Sequence, residues 1–298
     1  MNAAGNEKKI LIIGCGDIGR RLAKLALAEG TAVTALARAP ERAKELRELS
    51  VKTVSGDLDG PGPIADLPTK GTTVFYFAPP PGGGEIDPRI RVFCGSVAPG
   101  EEPAKVVLIS TSGVYGDCRG ETVTEETPPN PQTPRARRRF DAETILRAWG
   151  AHRQVPVVIL RVTGIYGPGR LPLNRLREGH PVLREEEAPF TNRIHAEDLA
   201  RIALAAAEKG EDGEIFNVSD GHASTMSAYF NAVADAFDLP RPRQISLAEA
   251  KEVMNPLMLS YLCESRRMDN GKMLARLGIR LRYPDLAAGL RGILAEGR

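Results

Sequence analysis

Cysteine, histidine, aromatic side chains and long apolar runs are all scarce in this 298-residue chain. The four cysteines, Cys15, Cys94, Cys118 and Cys263, are too few and too scattered for a disulfide framework, and no Cys-x-x-Cys spacing suggests zinc. They read as reduced thiols. The four histidines, His152, His180, His195 and His222, show no local metal-ligand spacing, so no metal is expected. No apolar run approaches the roughly 18 residues that a bilayer span requires. Met1 to Lys9 also lacks the charged-then-apolar order of a signal peptide. The expectation is a cytoplasmic protein with no membrane partner. With 40 Lys plus Arg against 38 Asp plus Glu, a net charge of +2 supplies no overall attraction to nucleic acid.

What is abundant is arginine: 30 of the 40 basic residues are Arg and ten are Lys. Guanidinium serves as an ordinary surface charge, but it also recognises anions through a planar fork. Four arginines fall within the five residues Arg135-Ala136-Arg137-Arg138-Arg139. The acids of Phe140-Asp141-Ala142-Glu143 follow at once and argue against a nucleic-acid patch.

The run Lys9-Ile10-Leu11-Ile12-Ile13 reads as a strand buried on both faces, and Ile18, Leu22, Leu25 and Ala26 recur at helical spacing until Gly30. Ala32 to Leu36 reads as the next strand. Glu41 to Leu49 reads as a helix, and Lys52 to Val54, Thr73 to Phe77, Lys105 to Ile109 and Val155 to Leu160 as further strands. A helix is expected over Phe140 to Trp149. Alternation of this kind predicts an α/β fold, a Rossmann doubly wound parallel sheet with a smaller C-terminal α+β substrate domain. The expected boundaries are 1–165 plus a returning segment near 194–219 for the nucleotide-binding domain. Residues 166–193 and 220–298 make the substrate-binding domain, and Pro128 to Pro134 is an ordered loop.

Gly14-Cys15-Gly16-Asp17-Ile18-Gly19 matches Gly-x-Gly-x-x-Gly directly after a buried strand and at the opening of a helix. Gly14 then makes the tight turn, Gly16 admits a pyrophosphate to the backbone, and Gly19 lets the helix pack on the sheet. The second strand ends Leu36-Ala37-Arg38 with no carboxylate before Glu41. Arg38 therefore suits a 2′-phosphate, which makes NADP the preferred cofactor and leaves NAD possible. Asp57 and Leu58 follow the third strand, where they can face the adenine, and Ala78 and Pro79 follow the fourth, where they can line the cofactor.

These motifs resemble the extended short-chain dehydrogenase/reductases, the NAD-dependent epimerase/dehydratase family. The likeness is carried also by Ile109-Ser110-Thr111-Ser112-Gly113-Val114-Tyr115-Gly116, Leu160-Arg161-Val162-Thr163-Gly164-Ile165-Tyr166-Gly167-Pro168-Gly169, Arg193-Ile194-His195-Ala196-Glu197-Asp198-Leu199-Ala200 and Phe216-Asn217-Val218. The resemblance implies hydride transfer on a small molecule, with nucleotide sugars a frequent substrate class and homodimers common. It places the active-site hydroxyl at Thr111. Where the family carries Tyr-x-x-x-Lys, this chain has Arg135 and Arg139, and no Tyr lies between Tyr115 and Tyr166. A guanidinium stays protonated at physiological pH, so Arg135 cannot replace the phenol as acid or base.

Three readings follow: another proton donor among Tyr115, Asp117, Cys118, Tyr166 and His195; arginines that bind an anionic substrate and stabilise developing charge; or an NADP-binding regulator without turnover. The resemblance places Tyr115, Arg161, Tyr166, Arg170, Asn192 and Arg193 toward the substrate. For Arg161 and Arg193 the alternative is pairing with buried acids such as Glu143 or Asp198.

Overall fold

From Ile10 onward the run Lys9–Ile13 is buried, and it forms β1 in a computed structural model that describes residues 8–255, 258–259, 262 and 264–296. Cys263 and residues 1–7 of the leading segment lie outside the described residues. Helix α1 (Asp17–Ala28) turns Ile18, Leu22, Ala23 and Ala26 inward at the spacing of one helical face. Gly30 stops it in the left-handed region at φ +76, with its own N–H on the Leu27 carbonyl and the Thr31 N–H on that of Ala26. That pair of bonds is a Schellman ending, which glycine adopts without a Cβ penalty. Strands β2 (Ala32–Ala37), β3 (Lys52–Ser55), β4 (Thr73–Tyr76) and β5 (Lys105–Thr111) follow, with α2 (Pro40–Glu48) and α3 (Pro88–Ser96) between them.

Strand β1 pairs in parallel with β2 and with β4, β2 with β3, and β4 with β5. After the two-residue β6 (Thr122–Val123) and helix α4 (Pro134–Arg153), β7 (Val157–Val162) extends the sheet beyond β5. The sheet has seven strands, its outer member being Ile215–Val218 beside β7, and helices flank it, which is a Rossmann-like α/β architecture.

The chain divides into two compact units. The first comprises Met1–Thr111, Pro134–Arg161 and Leu199–Phe216; the second comprises Ser112–Thr133, Val162–Asp198 and Asn217–Arg298. The second unit thus takes residues 112–133, 162–165, 194–198 and 217–219, which the sequence boundaries put in the first. The core of the first unit includes Leu11, Ile13, Val74, Phe93, Leu108 and Leu146. The second unit contains short two-stranded ribbons, among them Gly164–Tyr166 parallel to Arg193–His195. Its apolar cluster joins Leu176, Tyr229, Phe230, Val233 and Leu290.

One helix differs from expectation. It begins at Pro134, six residues before Phe140, so the arginine run is helical. Proline is favoured at a first helical position because its missing N–H has no intrahelical partner there. Ala136, Ala142, Glu143, Leu146 and Gly150 then share the buried face, which carries the arginines at fixed angles around it.

Candidate functional site

In the first unit the three glycines of the loop meet three different surroundings. A Cβ at Gly14, whose φ is +89, would lie 2.4 Å from the Ala78 amide nitrogen, so the loop and the turn after β4 approach as only glycine permits. At Gly19 a Cβ would lie 3.2 Å from the Ile12 side chain, a close helix-to-strand contact. At Gly16 it would meet nothing within 4 Å. Gly16 is the N-cap of α1 and supplies no side-chain cap to the first turn, and the space beside its Cα is open. The place combines the positive end of a 12-residue helix with room that a side chain would take away, features that anion binding requires. Asp17 in the first turn is bonded by Arg21 at 2.9 Å, which offsets a carboxylate beside that space. Ile18 is buried.

Arg38, at the end of β2, keeps its side chain two-thirds exposed while Nη1 reaches Asp59 Oδ2 at 3.3 Å. Asp59 is a hub that the sequence reading missed. Arg89 grips both its oxygens from Nε and Nη2, at 2.7 and 2.6 Å, and donates from Nη1 to the Pro79 carbonyl at 2.7 Å. The Arg89 hydrogen bonds hold the Asp59 carboxyl below its ordinary range. Asp57 is exposed and accepts the Asp59 N–H, which shapes the turn after β3. Leu58 and Ala78 both belong to the apolar core. Pro79 is exposed.

The arginine run is also placed differently from the expected anion site. Arg137 pairs with Glu85, Arg138 donates to the Gly84 carbonyl at 2.6 Å, and Arg139 Nη1 donates to the carbonyls of Ala78 and Ile109 at 3.2 and 3.0 Å. Asp141 accepts from Arg91 and from the Asp87 N–H. The run therefore pins the Pro- and Gly-rich loop after β4 to α4. Burial pushes the Arg139 guanidinium down, opposed by the charge of Asp87. Arg135 stands half-buried in the first turn of α4, and Thr111 half-buried at the end of β5.

Arg161 follows the alternative given for it, pairing with a buried acid. It is buried and bonded to Glu143 through Nη2 at 2.9 Å, and Ser110 donates to the same carboxylate. This ion pair lies in the first unit and is unavailable to a substrate.

In the second unit most expected substrate residues hold the fold. The Tyr115 hydroxyl donates to Asn217 Oδ1 at 2.7 Å and that of Tyr166 to the Asp285 carbonyl at 3.2 Å; both rings are buried. Asn192 bridges strands by donating to the Arg266 carbonyl and accepting from the Met268 N–H. His195 packs against Tyr166 and Tyr283. Asp198, the acid suggested for Arg193, instead accepts the N–H groups of Arg282 and Tyr283. Arg170 is exposed. Arg193 is buried and, among the described residues, pairs with no carboxylate; it donates to Thr191 at 2.9 Å and stacks 3.9 Å over Tyr229. Burial pushes its guanidinium down to about 10.

Among the described residues the thiols are poor nucleophiles, for burial pushes Cys15 up to about 11 and Cys94 up to about 12 and raises Cys118. Among the described residues no cluster of three His, Cys, Asp or Glu side chains is placed to hold a metal, and no helix is long and apolar enough to cross a membrane.

Asp220, buried in the second unit, is pushed up to about 6 by burial, against the His222 N–H bond and the charges of His222 and Arg193. Unfolded, it titrates near 3.8, so the fold binds its proton more tightly. The contribution is complete below pH 3.8 and is lost as pH rises through about 6. Asp220→Asn, which keeps an acceptor and cannot ionise, should gain stability over the wild type at pH 7.5 but not at pH 4. Thermal denaturation of both proteins across that range checks this, and parallel curves would contradict it.

Comparison with known proteins adds what the chain is similar to. Residues 96–219 match the NAD dependent epimerase/dehydratase family, and residues 10–62 match the TrkA-N domain. The chain is similar to the dTDP-D-glucose 4,6-dehydratase of Mus musculus, 28% identical over 122 residues, which is 38% of this chain and 34% of that protein. It spans about a third of the length of the curated relatives it matches. Among solved structures, a functionally unknown conserved protein from Silicibacter pomeroyi is 26% identical, with a TM-score of 0.82 over 97% of this chain and 99% of that one. The dTDP-glucose 4,6-dehydratase of Bacillus anthracis, solved with NAD, has a TM-score of 0.73 over 97% and 96% at 17% identity and shares the fold.

Proposed function

We propose, for this member of the NAD dependent epimerase/dehydratase family over residues 96–219, an oxidoreductase or epimerase-like activity on an anionic small molecule, by class a nucleotide sugar. The observation that carries the reading is the glycine loop, tight at Gly14 and Gly19 and open at Gly16. Gly16 and the first turn of α1 would hold a dinucleotide pyrophosphate, and the exposed Arg38 the 2′-phosphate of NADP. The nicotinamide, when bound, supplies a hydride acceptor or donor.

Thr111, ending β5, would donate a hydrogen bond to a substrate oxygen. Arg135 would attract the anionic substrate without acting as acid or base. Arg139 would serve the ribose side by holding the β4 and β5 carbonyl ends in place. The relatives' names support the substrate class: the mouse protein acts on a dTDP-sugar.

A second reading is an NADP-binding regulator without turnover. It is favoured by the engagement of the Tyr115 and Tyr166 hydroxyls within the fold. A screen of nucleotide sugars followed at the nicotinamide absorbance separates the two, since tight cofactor binding with no oxidation or reduction supports the regulator.

The cofactor preference has its own outcome. Arg38→Asp should lower NADPH affinity at least about tenfold, the loss of one charge-assisted contact, and bring NADH to equal or tighter binding. Calorimetric titration with both cofactors reads this, and unchanged affinities would remove Arg38 from the site.

A further inference from the structure

The second unit holds a cavity of about 470 Å³ whose walls are apolar and whose charges are all of one sign. Leu171, Leu173, Phe237 and Ile293 supply the walls; Arg175 and Arg177 supply the charge, and no acidic side chain among the described residues lines it. The volume falls within the range of small-molecule pockets.

Arg175 is the unusual member. Several sequestered arginines of this chain take a carboxylate, Arg89 that of Asp59, Arg153 that of Glu102, Arg161 that of Glu143 and Arg266 that of Glu264, while Arg139 takes the carbonyls of Ala78 and Ile109 and Arg193 the Thr191 hydroxyl. Arg175 has no carboxylate among the described residues. Its Nε is buried without a hydrogen-bond partner, and the guanidinium lies 4.7 Å over the Phe230 ring. Burial alone lowers its pKa, with no neighbouring acid to oppose the shift. A guanidinium partly withdrawn from water and left unpaired costs free energy that an incoming anion returns. The Phe230 face orients the plane of the fork, which suits two-point recognition of a carboxylate.

We infer that this cavity is a binding site for an amphipathic monocarboxylate, its carboxylate on Arg175 and its apolar body against Leu171, Leu173, Phe237 and Ile293. Arg177 lies at the same mouth, exposed and hydrogen-bonded to Asn174, and adds a second positive charge for approach. The site is separate from the dinucleotide reading and does not depend on it.

Calorimetric titration of the full chain with octanoate, and with 1-octanol as the uncharged counterpart, tests the assignment. Octanoate should bind saturably with Kd below about 1 mM, and octanol at least about tenfold more weakly. Arg175→Met, which keeps the stem over Phe230, should weaken octanoate at least about tenfold and leave octanol unchanged. Asn174→Trp, at an exposed lining position, should weaken both by filling the cavity. Gly16→Val in the first unit should leave octanoate binding intact. Absence of saturable octanoate binding, equal binding of octanol, or an unaltered Arg175→Met protein would overturn the proposal.

Discussion

Glu143→Ala should destabilise the first unit by about 3–5 kcal/mol, because it leaves the Arg161 guanidinium buried without its counter-charge. Both side chains are only 3% exposed and meet at 2.9 Å, and Ser110 loses its acceptor in the same change. A buried pair adds little over a well-packed apolar pair, since each ion gives up its hydration to enter the core. Removing one partner alone is costly. The double variant Glu143→Leu with Arg161→Met should therefore recover most of the lost stability. Chemical denaturation of the wild type, the single variant and the double variant checks this. A single variant within about 1 kcal/mol of the wild type would show that Arg161 finds another partner.

The glycine loop should separate fold from ligand. Gly14→Ala places a Cβ 2.4 Å from the Ala78 amide nitrogen at a φ of +89. The left-handed backbone costs an alanine roughly 1–2 kcal/mol and the overpacking roughly 1–3 more. Stability and dinucleotide binding should fall together. Gly16→Val adds a side chain where nothing lies within 4 Å, so it costs the apo fold little. It occupies the space over the uncapped start of α1, and dinucleotide affinity should fall at least about a hundredfold, the loss of roughly two charge-assisted contacts.

The strand–loop–helix unit from Lys9 to Gly30 is legible in the sequence because its determinants are local. A β-branched run, glycines at fixed spacing and one apolar helical face need no distant partner to be read. The parallel sheet follows from the repetition of that unit. The roles of Arg137, Arg138 and Arg139 are not legible in this way, because their partners Glu85, Gly84 and Ala78 lie 52, 54 and 61 residues earlier. A run of like charges reads as an anion site until the loop it pins is brought beside it. Asp59 is hidden likewise, its two arginines standing 21 and 30 residues away.

Burial misleads in the other direction. Tyr115, Tyr166, Asn192 and Arg161 are chemically capable residues within motifs that suggest a substrate, yet each spends its polar atoms on neighbours inside the protein. Leu58 and Ala78 sit at strand ends, where ligands are expected, but their short apolar side chains turn into the core. In the glycine loop the motif and the geometry agree, since the close approach to Ala78 and the open space at Gly16 are properties of backbone that glycine alone supplies.

Calorimetric titration of the full chain with NADPH and NADH, run beside Gly16→Val under the same conditions, tests the dinucleotide site most directly. One cofactor per chain should bind saturably to the wild type, NADPH more tightly than NADH, and Gly16→Val should retain its thermal stability while losing that binding. Absence of saturable binding by the wild type, or equal binding by a folded Gly16→Val protein, would contradict a dinucleotide held on the glycine loop.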